Sequence, residues 1–362
     1  MDQLDWIIMF AKVLPLIIVM IHAAPIMAWV ERRGSAVMQN RTGPNRIGPL
    51  GLLQSLADGI KFAFKEDPIP GHVNGFYYAL APIVSLMVAF ITIAVIPFAD
   101  TLVWDGRTIT FQAANLNVGL LYILSIGSLG VYGIIMAGWA SNNKYSLLGS
   151  LRSSSQMISY ELSLGLSIIG IVMMASTVEL NDIVRMQGQP LFEIAGIAIP
   201  RWGILVQPLG FLIFLTSIYA ETNRLPFDLP EGESEIVAGY HLEYGSLKFA
   251  MFMMAEYGNM LVGSALVSTL FLGGWQGLGW LHELIAQAAG LEAMASEILR
   301  VALQIAAIAG KIAFFMWLFV WVRWTVPRFR YDQLMDLGWK VMLPLSLVNI
   351  FVTGVLVYMK VI

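Results

Sequence analysis

The sequence predicts an all-α integral membrane protein of about eight transmembrane helices, with an amphipathic interfacial helix in the first inner loop. Composition, long apolar stretches and the placement of basic residues all point to it. Of 362 residues, 58% are hydrophobic and only 12% are charged, against about 25% charged in soluble domains. The formal net charge of −3 gives no basic surface field, which excludes nucleic acid as a partner. The chain contains no cysteine, so it offers neither disulfides nor thiolate ligands for zinc or iron–sulfur clusters.

A spanning helix needs about 20 apolar residues, because the hydrocarbon core is about 30 Å thick and each residue rises about 1.5 Å. Stretches of this kind run from about Trp6 to Val30, Phe76 to Ala99, Val118 to Ala140, Tyr160 to Val178, Trp202 to Ala220, Leu247 to Leu272, Ile298 to Val322 and Trp339 to Tyr358. The first has no basic segment before it and no small-residue cleavage site, so it reads as a retained helix. Short alternating segments of the β-barrel kind are not seen.

Arg and Lys concentrate in the loops after the first, third, fifth and seventh stretches, from Arg32 and Arg33 to Arg328 and Arg330. The opposite side carries only Arg107, Arg185, Arg201, Arg300 and Lys360. The positive-inside rule then places both termini on the outer side. No linker or internal repeat divides the chain, which reads as one polytopic membrane domain over residues 1–362, with inner loops at 31–75, 141–159, 221–246 and 323–338. The outer segments near 100–117, 179–201 and 273–297 read as short connectors, and "TLVWDGRTITF" as a small hairpin.

The first inner loop contains Gly43–Pro44 and Gly48–Pro49, which set turns before a new helix. Beyond them Leu52, Leu53, Leu56, Ile60, Ala63 and Phe64 recur at three- and four-residue steps, opposite Gln54, Ser55, Asp58, Lys61 and Lys65. This amphipathic helix is too short and polar to span; it either anchors at the membrane surface or roofs a cavity. The third inner loop is acidic: Glu221, Asp228, Glu231, Glu233, Glu235 and Glu243 stand against the single cation Arg224, in a stretch held by Pro226 and Pro230. A solvated acidic loop is the plain alternative.

An ionised carboxylate in hydrocarbon must find a cation, water or a proton. Glu161 is expected at the inner start of the fourth helix and Glu221 at the inner end of the fifth. By helical rise Glu256 lies about 14 Å into the sixth, and Lys311 about 20 Å along the seventh, near the same level. Together they form a row from the inner face to the midplane, which suits a proton relay; a Glu256–Lys311 pair that only orients two helices is the alternative. Asn259, Tyr257 and Ser264 could hold bridging water beside it. The glycines at 127, 130, 133 and 138 suit close helix packing. His22, His72, His241 and His282 lack ligand spacing, so no metal site is expected. No dinucleotide fingerprint or P-loop is present.

Taken together, these motifs resemble a known family. "GLLQSLADGIK" (51–61) and "PFDLPEGESEIVAG" (226–239) look like the two diagnostic segments of the membrane-embedded H subunit of NADH:quinone oxidoreductase, respiratory complex I, whose mitochondrial counterpart is NADH dehydrogenase subunit 1. "ERRGSAVMQNRTGPNRIGP", "AETNRLPFD" and "VPRFRYDQLM" fit the same family, so the resemblance covers essentially the whole chain.

The resemblance implies a subunit without cofactors of its own, in which ubiquinone or menaquinone is substrate and NADH, FMN and iron–sulfur clusters belong to partner subunits. It implies contact with the hydrophilic quinone-module subunits, small membrane subunits and membrane lipids, in a bacterial inner membrane or, if organelle-encoded, the mitochondrial one. By matching motif positions, Arg32, Asp58, Phe62, Phe227, Met253 and Arg323 would line or gate the quinone chamber. Glu161, Glu221, Glu256, Glu243 and Lys311 would form the proton relay. Arg224, Asp228, Glu231, Glu233 and Glu235 would form the loop coupling the two. Two rival classes are a membrane anchor of an energy-converting hydrogenase and a stand-alone secondary transporter, which usually shows paired repeats.

Overall fold

The apolar stretches fold into long helices because a backbone surrounded by lipid must satisfy its hydrogen bonds internally. The computed structural model describes residues 3–104, 106–194, 197–229, 237–290 and 292–360. Helix α1 (Gln3–Met38) contains Pro15 and Pro25. The amphipathic α2 (Gln54–Phe64) follows, then α3 (Gly75–Thr92), which continues into a 3₁₀ turn. The third stretch is two helices, α4 (Gly119–Ser128) and α5 (Gly130–Ala140), joined at Leu129. Next come α6 (Lys144–Ala175), α7 (Leu180–Gln187), α8 (Gly203–Val206), α9 (Pro208–Glu221) and α10 (Ser246–Phe271). The chain continues through α11 (Gly279–Ala289), α12 (Ala293–Thr325), α13 (Tyr331–Asp336), a π-helical turn (Leu337–Met342) and α14 (Leu343–Tyr358).

Among the described residues seven helical stretches are long and apolar enough to cross a bilayer. The fifth expected span differs: it breaks at Gln207, and α9 has only 14 residues, about 21 Å at the helical rise. Pro208 starts it, a position where the missing N–H costs no helical hydrogen bond. The segment 141–159, read from the sequence as an inner loop, is instead mostly the first half of the 32-residue α6. Its serines lower the local hydropathy, yet Ser150, Ser154 and Ser159 hydrogen-bond carbonyls of their own helix, those of Leu147, Leu151 and Ser155. Polar composition therefore does not expose polar groups there. The expected connectors 179–201 and 273–297 contain α7 and α11, and β3 (Pro190–Ile194) pairs with β4 (Ile197–Pro200). The expected hairpin near 101–111 is present as β1 (Leu102–Trp104) and β2 (Arg107–Ile109).

The hairpins and the two outermost helix ends lie at one end of the bundle. Arg107 pairs with Asp5 at 2.8 Å, Arg185 with Asp100 at 2.8 Å, and Gln207 Nε2 donates to Thr353 Oγ1 at 2.7 Å. Helix α2 and the loops 222–229 and 237–245 lie at the other. Close packing of α5 depends on two glycines: a Cβ at Gly138 would fall 2.1 Å from Ser150 Oγ, and one at Gly133 would fall 2.2 Å from Ser85 Oγ. The main core joins Met20, Ile168, Phe214, Phe271 and Phe319; a second cluster joins Tyr78, Val131, Met157, Tyr244 and Phe252. Large apolar side chains also face outward, such as Phe10 at 63% and Phe351 at 74% exposure. So much exposed apolar surface is the mark of a lipid or partner environment.

Candidate functional site

Helices α3, α4, α5, α6, α9 and α10 surround a cavity of about 80 Å³, room for several waters at about 10–15 Å³ each. Glu161 from α6, Glu221 from α9 and Glu256 from α10 all line it, together with Ser85, Thr92, Thr222, Asn223 and Asn259. The three expected intramembrane acids are thus brought to one enclosed space. Glu161 reaches it from the middle of α6, not from that helix's inner start as expected, because α6 begins earlier, at Lys144. Gly127 faces the cavity from the opposite wall, where a Cβ would lie 3.5 Å from Glu221 Oε1, an ordinary van der Waals contact. Ser128 hydrogen-bonds Glu161. Among the described residues Glu221 has no cation within ion-pair distance.

Glu256 opens onto a second, charged group. Arg224 Nε lies 2.5 Å from Glu256 Oε1 and its Nη1 lies 3.0 Å from Glu31 Oε1. Arg323 Nη1 donates to both Glu31 oxygens at 3.1 Å. The Tyr257 hydroxyl donates to Glu31 Oε2 at 2.8 Å, and the Arg224 guanidinium stacks over the Tyr257 ring at 4.5 Å. Two carboxylates and two guanidiniums therefore balance in a region where Glu31 is 8% and Arg224 is 5% exposed. Pairing is what makes such burial tolerable. Arg224 is held there by the fold at the end of α9, where Gln156 Nε2 donates to the Ala220 and Phe227 carbonyls, both at 2.8 Å.

Beside this group lies Asp228, expected in the coupling loop, which accepts from Arg328 Nη2 at 3.0 Å. Its burial raises the carboxyl above the usual range and outweighs the opposing guanidiniums of Arg328, Arg323 and Arg224. Glu231, Glu233 and Glu235, expected in the same loop, lie outside the described residues.

Of the expected chamber residues, Arg32 pairs with Asp58 at 2.5 Å, and Gln54 donates to the same carboxylate at 3.0 Å. Burial alone would raise the Asp58 carboxyl, but these hydrogen bonds and the charges of Arg32 and Lys61 hold it below the usual range. Phe62 faces Phe249, with centroids 6.1 Å apart, and Met253 is one turn beyond Phe249 on the same face of α10. Arg323 belongs to the Glu31 cluster. Phe227 departs from expectation: only 3% exposed, it packs between Tyr160 and Phe329 at 5.4 Å each, inside the bundle core.

Two expected relay residues stand apart from the cavity. Glu243 accepts from Asn143 Nδ2 at 2.7 Å and lies 3.8 Å from His72, in the loop layer before α10. Lys311 does not meet Glu256. Its ammonium donates to the carbonyls of Leu272, Gly274 and Gln276 at 2.7–2.8 Å and sits over the Trp202 ring. It caps the hairpin-side end of α10, where unsatisfied carbonyls favour a cation; counting rise along one helix could not show that a chain reversal supplies its partners.

Glu31 is the main site residue not expected from the sequence, although an acid directly following an apolar stretch, in "VERR", was the available signal. Among the described residues no group of three or more His, Cys, Asp or Glu is arranged to hold a metal ion.

Helices long enough to span, an apolar exterior and a buried set of carboxylates on several helices define a polytopic membrane protein with an internal ionisable network. The family model described as NADH dehydrogenase matches residues 11–354. Among similar chains is the NADH-quinone oxidoreductase H subunit of Bdellovibrio bacteriovorus, 45% identical over 96% of this chain and 95% of its own. The H subunit of the same enzyme from Thermomicrobium roseum is 47% identical over 97% of each chain. An H subunit from Koribacter versatilis is 46% identical over 96% of each. The chain belongs to this NADH dehydrogenase family, as an H subunit of the NADH-quinone oxidoreductase kind.

Proposed function

We propose that the chain is the membrane subunit of a proton-pumping NADH:quinone oxidoreductase, a translocase, in which it links a quinone chamber to a proton route. It carries no redox centre and is inactive when isolated. Partner subunits supply FMN and iron–sulfur clusters, and the electron acceptor is ubiquinone or menaquinone. The chain is a single membrane domain of the bacterial inner membrane, its termini outward and its inner loops toward the hydrophilic arm. The observation that carries the reading is the meeting of Glu161, Glu221 and Glu256 in one cavity, with Glu256 joined through Arg224 to Glu31 and Arg323.

The chemistry follows from this arrangement. A quinone needs apolar walls and a few polar contacts for its head; Phe62 and Met253 supply the first, Arg32, Asp58 and Arg323 the second. Charge appearing on a quinone beside Arg323 competes with Glu31 for that guanidinium. Arg224 then shifts its balance between Glu31 and Glu256, and Glu256 exchanges a proton with the cavity. Asp228, with Glu231, Glu233 and Glu235, couples quinone state to this step. Each shift alters which carboxylate carries charge, which is how a buried relay moves a proton.

Glu256→Gln or Glu221→Gln in the assembled enzyme should lower quinone-linked turnover and pumping by about tenfold or more, roughly 1.4 kcal/mol of barrier. NADH oxidation with an artificial acceptor should be retained. Unchanged quinone reduction and pumping in both variants would contradict the proposal.

A further inference from the structure

Ser128 is the last residue of α4, at the break that separates it from α5. The backbone tightens there: Leu129 N–H bonds the Ile126 carbonyl at 3.0 Å and Tyr132 N–H bonds that of Leu129 at 3.2 Å. Both are three-residue closures, in place of the four-residue ladder of an α-helix. The Ser128 Oγ lies within hydrogen-bond distance of two oxygens at once. One is the Leu124 carbonyl of its own helix, at 2.9 Å. The other is Glu161 Oε1 across the cavity wall.

A hydroxyl has one proton to donate and two lone pairs to accept with. It cannot donate to both oxygens together. With Glu161 ionised, the carboxylate is acceptor-only, so the Ser128 O–H must point at it and the Leu124 carbonyl loses that donor. With Glu161 protonated, the carboxyl O–H donates to Ser128 Oγ, and the serine proton turns to Leu124. The second arrangement is the back-bonding that bends helices, and it acts in the turn that precedes the break.

We propose that Ser128 is a positioning residue for Glu161, a hydroxyl that reverses its hydrogen bond with each protonation of that carboxyl and passes the change to the α4–α5 junction. The charged and titratable groups that share the cavity with Glu161 are Glu221 from α9, Glu256 from α10 and Tyr240 from the loop before α10, and Arg224 stands behind Glu256. None of these donates to Glu161 among the described residues, so Ser128 is the group there that senses its proton directly. The inference rests on the proposed relay and deepens it.

The test compares Ser128→Ala, Ser128→Thr and Glu161→Gln in the whole enzyme in proteoliposomes, by proton pumping and by infrared difference spectra on quinone reduction. Glu161→Gln identifies the carboxyl band of Glu161 by removing it. Ser128→Ala should shift that band and lower coupled pumping about fivefold, the effect of one hydrogen bond. Ser128→Thr, which keeps the hydroxyl, should restore both. An alanine variant with the Glu161 band and pumping of the parent, alongside a Glu161→Gln variant that has lost pumping, would overturn the role of Ser128 and leave the relay standing. Full pumping in Glu161→Gln would remove Glu161 from the relay and the inference with it. An alanine-type defect in Ser128→Thr would also overturn it, since the hydroxyl would then not be the operative group.

Discussion

Arg224 is the residue on which the buried charges depend, because it bridges Glu31 and Glu256 while only 5% of its surface is exposed. Arg224→Leu leaves two carboxylates to share Arg323, and stranding a buried charge costs about 3–5 kcal/mol. The expected outcome is a sharp loss of assembled enzyme on native gels, more severe than for Glu256→Gln, which removes one carboxylate and leaves Glu31 paired with both Arg224 and Arg323. His241 predicts a pH dependence. Burial against Tyr240 and Phe249 pushes its imidazole down to about 4. A depressed folded value means that its contribution is fully present above the unfolded value near 6.5 and is lost as pH falls toward 4. The total is roughly 3 kcal/mol, of which about 2 is gone by pH 5. His241→Phe should flatten that part of the acid-inactivation curve. The acids Glu221 and Glu256 were legible in the sequence, since charge in an apolar run is costly wherever it folds. The surroundings of Glu256 were not: its partner Arg224 comes from a loop, Glu31, which shares that guanidinium, comes from a helix almost two hundred positions before Arg224, and Lys311 turned to backbone carbonyls that sequence does not display.

Among the elements, α5 shows how close approach substitutes for hydrophobic driving force inside a bilayer. Gly138→Ala places a methyl 2.1 Å from Ser150 Oγ, and overpacking of this kind costs about 1–3 kcal/mol. A lower thermal midpoint of the assembled enzyme is expected, with partial recovery in the Gly138→Ala, Ser150→Ala pair. Helix α2 behaves differently. Its apolar face is turned outward, Leu56 being 59% and Phe64 87% exposed, while Ser55 is buried and Asp58 holds Arg32. Asp58→Asn should therefore change stability by no more than about 1 kcal/mol, as expected of a partly exposed pair. Its effect should appear in apparent quinone affinity instead. The periodicity of α2 was plain in the sequence, whereas the first half of α6 was hidden because its serines lower hydropathy, although Ser150, Ser154, Ser155 and Ser159 bond carbonyls of their own helix.

For the whole molecule, the apolar runs carried the class of fold, and the recurring motifs carried the family, over nearly the full chain. The break in the fifth span had a signal, Pro208 directly after Gln207, which the apolar run around it outweighed, whereas Leu129 in the third carries no helix-breaking residue of its own. Sidedness can be probed chemically, since the chain has no cysteine of its own. Trp104→Cys on the hairpin should react with an impermeant thiol reagent from the outer side, and Lys65→Cys after α2 only from the inner side. The reverse pattern would invert the topology. Proton transfer among the three carboxylates requires that one hydrated space join them, and a high-resolution density map of the assembled enzyme with quinone bound decides whether it does. Ordered water should connect Glu161, Glu221 and Glu256 across the α6–α9–α10 cavity; a dry, side-chain-filled space that isolates the three from one another would refute the relay.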